Sequence, residues 1–510
     1  MDETEKTIDM NALVRGCLAA IKENSKDAIA YHNLGSAYFQ LKRYKEALDS
    51  LKQEIKLRPN SAVTYNTLGI VYTCLTRYEE SIAAFKQAIN LNPDYADAYH
   101  NLGMGYGNLE RYEEAIPPLK QAIQLNPENF LIYDSLGDVY NLHGRYEEAV
   151  ILYEQAIKLG SEYPRTYYNL GITCKKLKRY EEAINSFKQA IKIKPDYTKA
   201  YNELGLIYGD LGRYEESIIA FKQAIQLNPN FTNAFHNLGV VYENFRHYEE
   251  AATIFRQAIK MDPDNVNPYI RLGFVCKILG YYEESINAYK QAIKLEPGDA
   301  KIYHDLGSSY FRYKHYEESI AAYKQVIKLE PDSPVAYHNL GLDYDNIGCY
   351  EEAIAAYKQA IKLDPNSVAE TYYNLGLVYG RLKRYEEEIS AYKQAIKIDP
   401  NYTQAYYNLS GLYGRLKRYD ESISICKQAI KLNPNDALSY NNLGVDYSHL
   451  KRYEEAIKVY KQAIKLDPDN AGTYYNLGIA YDKFGCFKEA IIVYEQANKL
   501  DPDKFKSHNN

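Results

Sequence analysis

Adjacent carboxylates recur along this chain, as at Glu351-Glu352 and at matching places before and after it, and such pairs are the raw material of general acid–base chemistry. Each pair, however, opens a helical pattern, where acids favour the positive end of the helix dipole, so a solvated helix-start role is expected. Five of the ten histidines, His32, His100, His236, His304 and His338, share one position of a repeating pattern. Only His304 and His338 come from neighbouring copies, and packed helices lie ~8–10 Å apart, so no shared metal ion is expected. The seven cysteines (Cys17, Cys74, Cys174, Cys276, Cys349, Cys426 and Cys486) show no C-x-x-C spacing, which argues against a disulfide framework and against zinc. The glycine-rich run from Ser410 to Gly414 falls inside a helical pattern rather than a loop. These residues predict no catalytic group, no metal site and no cofactor.

The elements that carry these residues are written into one stretch, Val335 to Ser367, whose pattern recurs fourteen times between Ala28 and Lys504, almost always 34 residues apart. Such a period signals stacked supersecondary units. Numbering each repeat from 1, apolar residues at positions 4, 7, 11 and 14 (Tyr337, Leu340, Tyr344 and Ile347) line one face of a first helix. Tyr350, Ile354, Tyr357 and Ile361 do the same for a second. Gly348 breaks the chain between them and Pro365 closes the repeat. Gly341 at position 8 and Ala353 at position 20 are small enough for the helices to cross closely. A hairpin this short buries its apolar face only against its neighbours.

An aromatic at position 4, Leu at 7, Gly at 8, Tyr at 11, Ala at 20, an aromatic at 24, Ala at 27 and Pro at 32 resemble the tetratricopeptide repeat signature over nearly the whole chain. Position 4, usually Trp in that family, is Tyr in thirteen copies and Phe235 in the other, so an aromatic plate is kept. The resemblance implies an all-α fold, a right-handed α-solenoid or superhelix of fourteen helix-turn-helix repeats. Residues 28–504 would hold the repeats, with one extra residue at Val368. Residues 1–27 would supply an acidic leader, frayed from Met1 to Asp9, and a capping helix from Met10 to Asn24. Residues 505–510 would form a short tail, leaving an apolar edge of Tyr494, Ala497 and Leu500 through which copies could self-associate.

Net charge is −6 and the isoelectric point is near 6. That balance lacks the basic excess of nucleic-acid binders. No run of about 18 apolar residues offers a membrane span, and the acidic opening is no signal peptide. A cytoplasmic protein is expected, with protein or peptide partners, no nucleic acid and no membrane. Departures from the repeat are few. Pro117 and Pro118 lie inside a second helix and predict a late start or a bend. Glu388 occupies position 20 of repeat eleven, and Ser410 replaces Gly at position 8 of repeat twelve. With Val368 these cluster in 368–410, as tolerated drift or as a softened joint or partner-specific notch.

What remains is a surface. Position 6 carries Asn33, Asn101, Asn169, Asn237, Asn339, Asn374, Asn408, Asn442 and Asn476. An amide offers both a donor and an acceptor, which suits the backbone of an extended peptide. These asparagines resemble the groove of the repeat domain in O-linked N-acetylglucosamine transferases, which implies a concave face binding extended polypeptide. An alternative role is bonding the adjacent turn to stabilise stacking. The ladder is interrupted from Arg271 to Asp305. Cations such as Lys175, Lys277 and Arg165 lie along the same wall, with acids interspersed. The basic clamp that some tetratricopeptide proteins use for carboxylates is not expected, because position 5 is never Lys. A non-enzymatic interaction scaffold is the leading reading. A substrate-recruiting arm of a glycosyltransferase system without its catalytic domain, or a self-assembling scaffold, are the alternatives.

Overall fold

The computed structural model describes residues 3–365 and 369–502. Val368 and the 505–510 tail lie outside the described residues. Twenty-nine helices occupy the described chain: an opening helix, Glu3–Glu23, then fourteen pairs. The chain forms two compact bodies, Met1–Met261 and Asp262–Asn510. Within each, the first helix of a repeat packs on its own second helix, and the second packs on the next repeat's first. Each body is thus an all-α solenoid. Among the described residues no helix is long and apolar enough to cross a membrane.

Repeat ten shows why these residues fold as they do. Its first helix is Pro334–Asn346 and its second Tyr350–Leu363. Ser333 caps the first, its hydroxyl accepting from the Ala336 N–H, while Pro334 sits where a missing N–H costs nothing. The link is tight: Gly348 adopts a left-handed φ of 79° and the Cys349 N–H reaches back to the Tyr344 carbonyl at 2.9 Å. Every repeat takes this conformation at position 15. Nine of the fourteen do so without glycine, including Lys42, Lys314 and Lys417. The turn is imposed by packing and tolerates a local conformational cost.

The close approach foreseen for Gly341 and Ala353 has a more specific partner. A Cβ on Gly341 would lie 2.6 Å from the ring of Tyr357, and position 8 meets position 24 in the same way in other repeats, as in Gly69 with Phe85 at 2.4 Å. Position 8 is therefore empty so that the position-24 ring can lie across the first helix. Repeat twelve keeps the fit with the sizes exchanged: Ser410 stands at position 8 and the buried Cys426 replaces the ring. Where position 20 is serine, its hydroxyl donates to the position-8 carbonyl, as from Ser319 to Gly307 at 3.0 Å.

On the outer edge, Arg at position 16 lies over the position-11 tyrosine, with Arg452 4.5 Å from the Tyr447 ring. The same arginines pair with the acids noted above. Arg384 meets Glu387 of its own repeat at 2.9 Å and Glu351 of the preceding one at 3.4 Å. The paired carboxylates are thus exposed ion-pair partners that tie repeats together.

Three expectations are corrected. The opening helix starts at Glu3 rather than Met10, since no Pro or Gly interrupts Glu3–Met10. Val14 and Cys17 of that helix are buried against the first repeat. The second helix of repeat three, Tyr112–Leu125, runs unbroken through Pro117 and Pro118, starting at the usual residue. The two lost N–H groups would have met the carbonyls of Glu113 and Glu114, both exposed residues. Lastly, Tyr494, Ala497 and Leu500 are not the exposed edge. Ala497 is fully buried and Tyr494 lies across Gly478, because positions 24, 27 and 30 face the repeat's own first helix. The exposed apolar residues of Phe487–Leu500 are instead Phe487, Ile491 and Ile492.

Two outcomes follow from this packing. Cys426→Tyr in the full chain should lower stability by ~1–3 kcal/mol through overpacking against Ser410, and adding Ser410→Gly should restore most of the loss. Urea denaturation of the singles and the double checks the coupling. Lys417→Gly should raise the unfolding midpoint, by roughly 0.5–1 kcal/mol of relieved left-handed strain.

Candidate functional site

Position 6 of each repeat lies on the first helix, one turn before the position-10 residue that enters the core. Among the nine asparagines, Asn33 is exposed and the other eight are half-buried. Six are held by the preceding repeat. Asn101 donates Nδ2–H to Asn66 Oδ1 at 3.0 Å, Asn237 to Asn202 at 3.1 Å and Asn476 to Asn441 at 3.3 Å. Asn408 donates to the Tyr373 hydroxyl at 3.1 Å and Asn169 to Asp138 at 2.8 Å, and Asn339 meets His304 Nε2 at 3.1 Å. Asn374 and Asn442 make no such bond. Position 6 is thus bonded back to the preceding first helix, mostly to position 5. These bonds join successive first helices and do not run to the adjacent turn, the alternative raised from the sequence. They do not seal the amides. Asn101, Asn237 and Asn476 each commit one N–H and keep the carbonyl oxygen free.

The histidines at position 5 belong to the same seam. His100 Nε2 lies 2.8 Å from Ser135 Oγ, and His338 Nδ1 lies 2.8 Å from Thr371 Oγ1. Burial lowers the pKa of His100, His304 and His338, favouring neutral imidazoles. Wall cations are paired across repeats as well. Lys175 binds Glu203 at 2.8 Å, Lys277 binds Asp305 at 3.3 Å, and Arg165 binds Asp138. With these charges already matched, they give little support to a general preference for acidic segments.

Among the concavities on these faces, one gathers the irregular repeats. Between repeats eleven and thirteen, within the C-terminal body, lies an open recess of about 810 Å³. It collects departures from the repeat that the sequence had flagged singly. Glu388 and Ser410 line it, with Asn408, Asn442, Tyr392 and Tyr407 from the regular pattern. Sequence reasoning missed its shape-giving residue, Gly411. The Ser-Gly order in repeat twelve shifts glycine one place, from position 8 to position 9. Other repeats hold Leu342, Leu377 or Val445 there, whereas a Cβ at Gly411 would touch nothing within 4 Å.

The floor is acidic. Glu388 is 3% exposed, its Oε1 is 3.7 Å from Arg415, and its Oε2 has no well-formed hydrogen bond. Burial raises its pKa, opposed by Arg415 and the Tyr392 hydroxyl. Asp446, at core position 10, is pushed up to about 6 by burial, while Ser422 donates to its Oδ2 at 2.5 Å. Asp343 occupies the same position in repeat ten and is fully buried, with its pKa raised to about 7 by burial. Ser319 opposes that rise, but its hydroxyl proton is donated to the Gly307 carbonyl.

These two aspartates fix the sign of a pH dependence. A carboxyl whose folded pKa lies above its unfolded one binds protons more tightly when folded, so stability falls as pH rises between the two values. The full chain should therefore lose stability between about pH 4 and pH 7, and Asp343→Asn should remove much of that slope and raise the unfolding midpoint at pH 7.5 by on the order of 2–4 kcal/mol. Urea titrations at pH 5 and 7.5 measure both effects.

No curated protein matches the chain. Solved structures resemble parts of it. MamA is 29% identical over 33% of this chain and 97% of its own, with a TM-score of 0.31. YrrB, described as a TPR protein with an unusual peptide-binding site, is 26% identical over 37% of this chain and 96% of its own, with a TM-score of 0.34. The C-terminal part of a TPR repeat-containing protein from Cytophaga hutchinsonii is 18% identical over 47% and 97%, with a TM-score of 0.42. Family models described as TPR repeat and tetratricopeptide repeat match residues 27–94, 60–128, 137–178, 173–212, 198–231, 232–265, 275–313, 314–348, 332–401, 403–436, 425–458, 446–485 and 471–504. Repeat signature, helical pairs and these matches agree, and the chain belongs to the tetratricopeptide repeat family.

Proposed function

We propose that this chain is a non-enzymatic protein-interaction scaffold that binds extended segments of partner proteins along the polar faces of its first helices. Membership of the family supports the scaffold role. The observation that carries the peptide reading is the half-buried asparagine ladder. Its amides are oriented by the repeat behind them yet keep polar atoms accessible, a preorganised arrangement that lowers the ordering cost of binding. Contacts of this kind add about 1 kcal/mol each and read backbone rather than sequence, so affinity would accumulate over several repeats.

The test separates binding from stacking. Asn374 and Asn442 make no bond to the preceding repeat, so replacing both by Ala should leave unfolding unchanged and weaken peptide capture about threefold to tenfold. Adding Asn408→Ala and Asn476→Ala should weaken capture further and lower stability. Unchanged capture by the folded four-residue variant refutes binding at these amides.

A further inference from the structure

The recess between repeats eleven and thirteen has an unusual charge arrangement. Arg381, at its rim, is already neutralised by Asp345. Arg415 is 69% exposed and its Nη2 lies 3.7 Å from Glu388 Oε1. Beneath it are two carboxyl groups, Glu388 and Asp446, each 3% exposed. One cation above two acids leaves the floor short of positive charge. Glu388 lines the recess, and its Oε2 is the atom left over: buried and without a well-formed hydrogen bond. An unsatisfied buried carboxylate oxygen is costly, so a donor that reached it would gain more than it would at an exposed acid.

The walls suit such a donor. Tyr407, 45% exposed, lines the recess, and aromatic rings attract cations. Asn408 and Asn442 also line it and offer amides to the backbone on either side of an inserted side chain. Space exists because Gly411 carries no side chain where neighbouring repeats carry Leu377 and Val445. A volume of about 810 Å³ exceeds one side chain and accommodates the flanking backbone as well. An anion is disfavoured, since it would meet both buried acids and compete with Asp345 and Glu388 for arginines they already hold.

We infer that this recess is a specificity pocket for an ammonium or guanidinium group, presented by a lysine or arginine of an extended partner segment, with Glu388 as its principal partner. The inference rests on the peptide-binding reading above and assigns it a side-chain preference. Elsewhere along the first helices binding is to backbone; here one residue of the partner is read.

The experiment uses the full chain and a random nonapeptide library. The wild type should enrich Lys or Arg at one register position, and replacing that residue by norleucine in an enriched peptide should weaken binding at least about tenfold. Gly411→Leu should abolish the difference between the lysine and norleucine peptides while retaining affinity for the norleucine one. That variant should fold, because its Cβ meets nothing and Leu377 occupies the same position next door. Glu388→Gln should behave likewise. Enrichment with no basic preference, an acidic preference, or lysine selectivity that survives in Gly411→Leu overturns the pocket but leaves the peptide-binding reading standing. Absence of any enriched peptide overturns that reading. If agmatine then binds the wild type and not Glu388→Gln, the cation site stands and its peptide source is overturned.

Discussion

The structure depends on one steric interlock, the position-24 side chain, a ring in most repeats and Leu51 or Leu119 in two, lying across the missing side chain at position 8. It fixes the distance and angle between the two helices of a hairpin, and everything that faces outward inherits its placement from that fit. Gly341 with Tyr357 and Gly69 with Phe85 leave no room for even a methyl group. Repeat twelve shows that the constraint concerns volume rather than glycine. Ser410 is accepted because Cys426 is small, a trade that keeps a close-packed interior close-packed.

Once hairpins are rigid, repeats join through contacts between nearest neighbours only. On the outer edge the position-16 arginine spans a tyrosine, an acid of its own repeat and an acid of the one before. On the first-helix face the position-6 amide reaches position 5 of the preceding repeat. Both sets are small energies repeated many times, as expected for a quasi-one-dimensional protein. The same asparagines therefore serve cohesion and present polar atoms to a partner. A face built this way is stiff before anything binds to it.

The regular repeats offer backbone-level contacts, and individuality comes where the pattern lapses. Glu388, Ser410 and Gly411 lie within 23 residues of sequence and meet in one recess with Asp446 from the next repeat. Each is locally unfavourable or neutral: a buried acid, a serine in a glycine site, a glycine inside a helix. Together they carve a space and place a charge in it. Departures that cost stability and converge on one cavity are where a repeat protein can acquire specificity.

Helix positions, the period, the turn residues and the family were legible in the sequence, because each follows from a local pattern repeated fourteen times. Apolar spacing fixes which face is buried whatever the neighbours do, so the tetratricopeptide fold was readable from repeat ten alone. Partners across repeats were not. Asn408 bonds Tyr373 while Asn442 bonds nothing behind it, although both are position-6 asparagines. The exposed edge of the last helix was misplaced for the same reason, since spacing does not say which of two apolar faces meets its own hairpin. Glu388 and Ser410 were visible as exceptions, but only the stacked structure could show them lining one recess with Gly411. The sequence alone determined what recurs, since periodicity is a property of one chain segment. Tertiary structure decided what those segments do to one another, since a hydrogen bond or a cavity spanning 35 residues depends on the exact stagger of neighbouring hairpins.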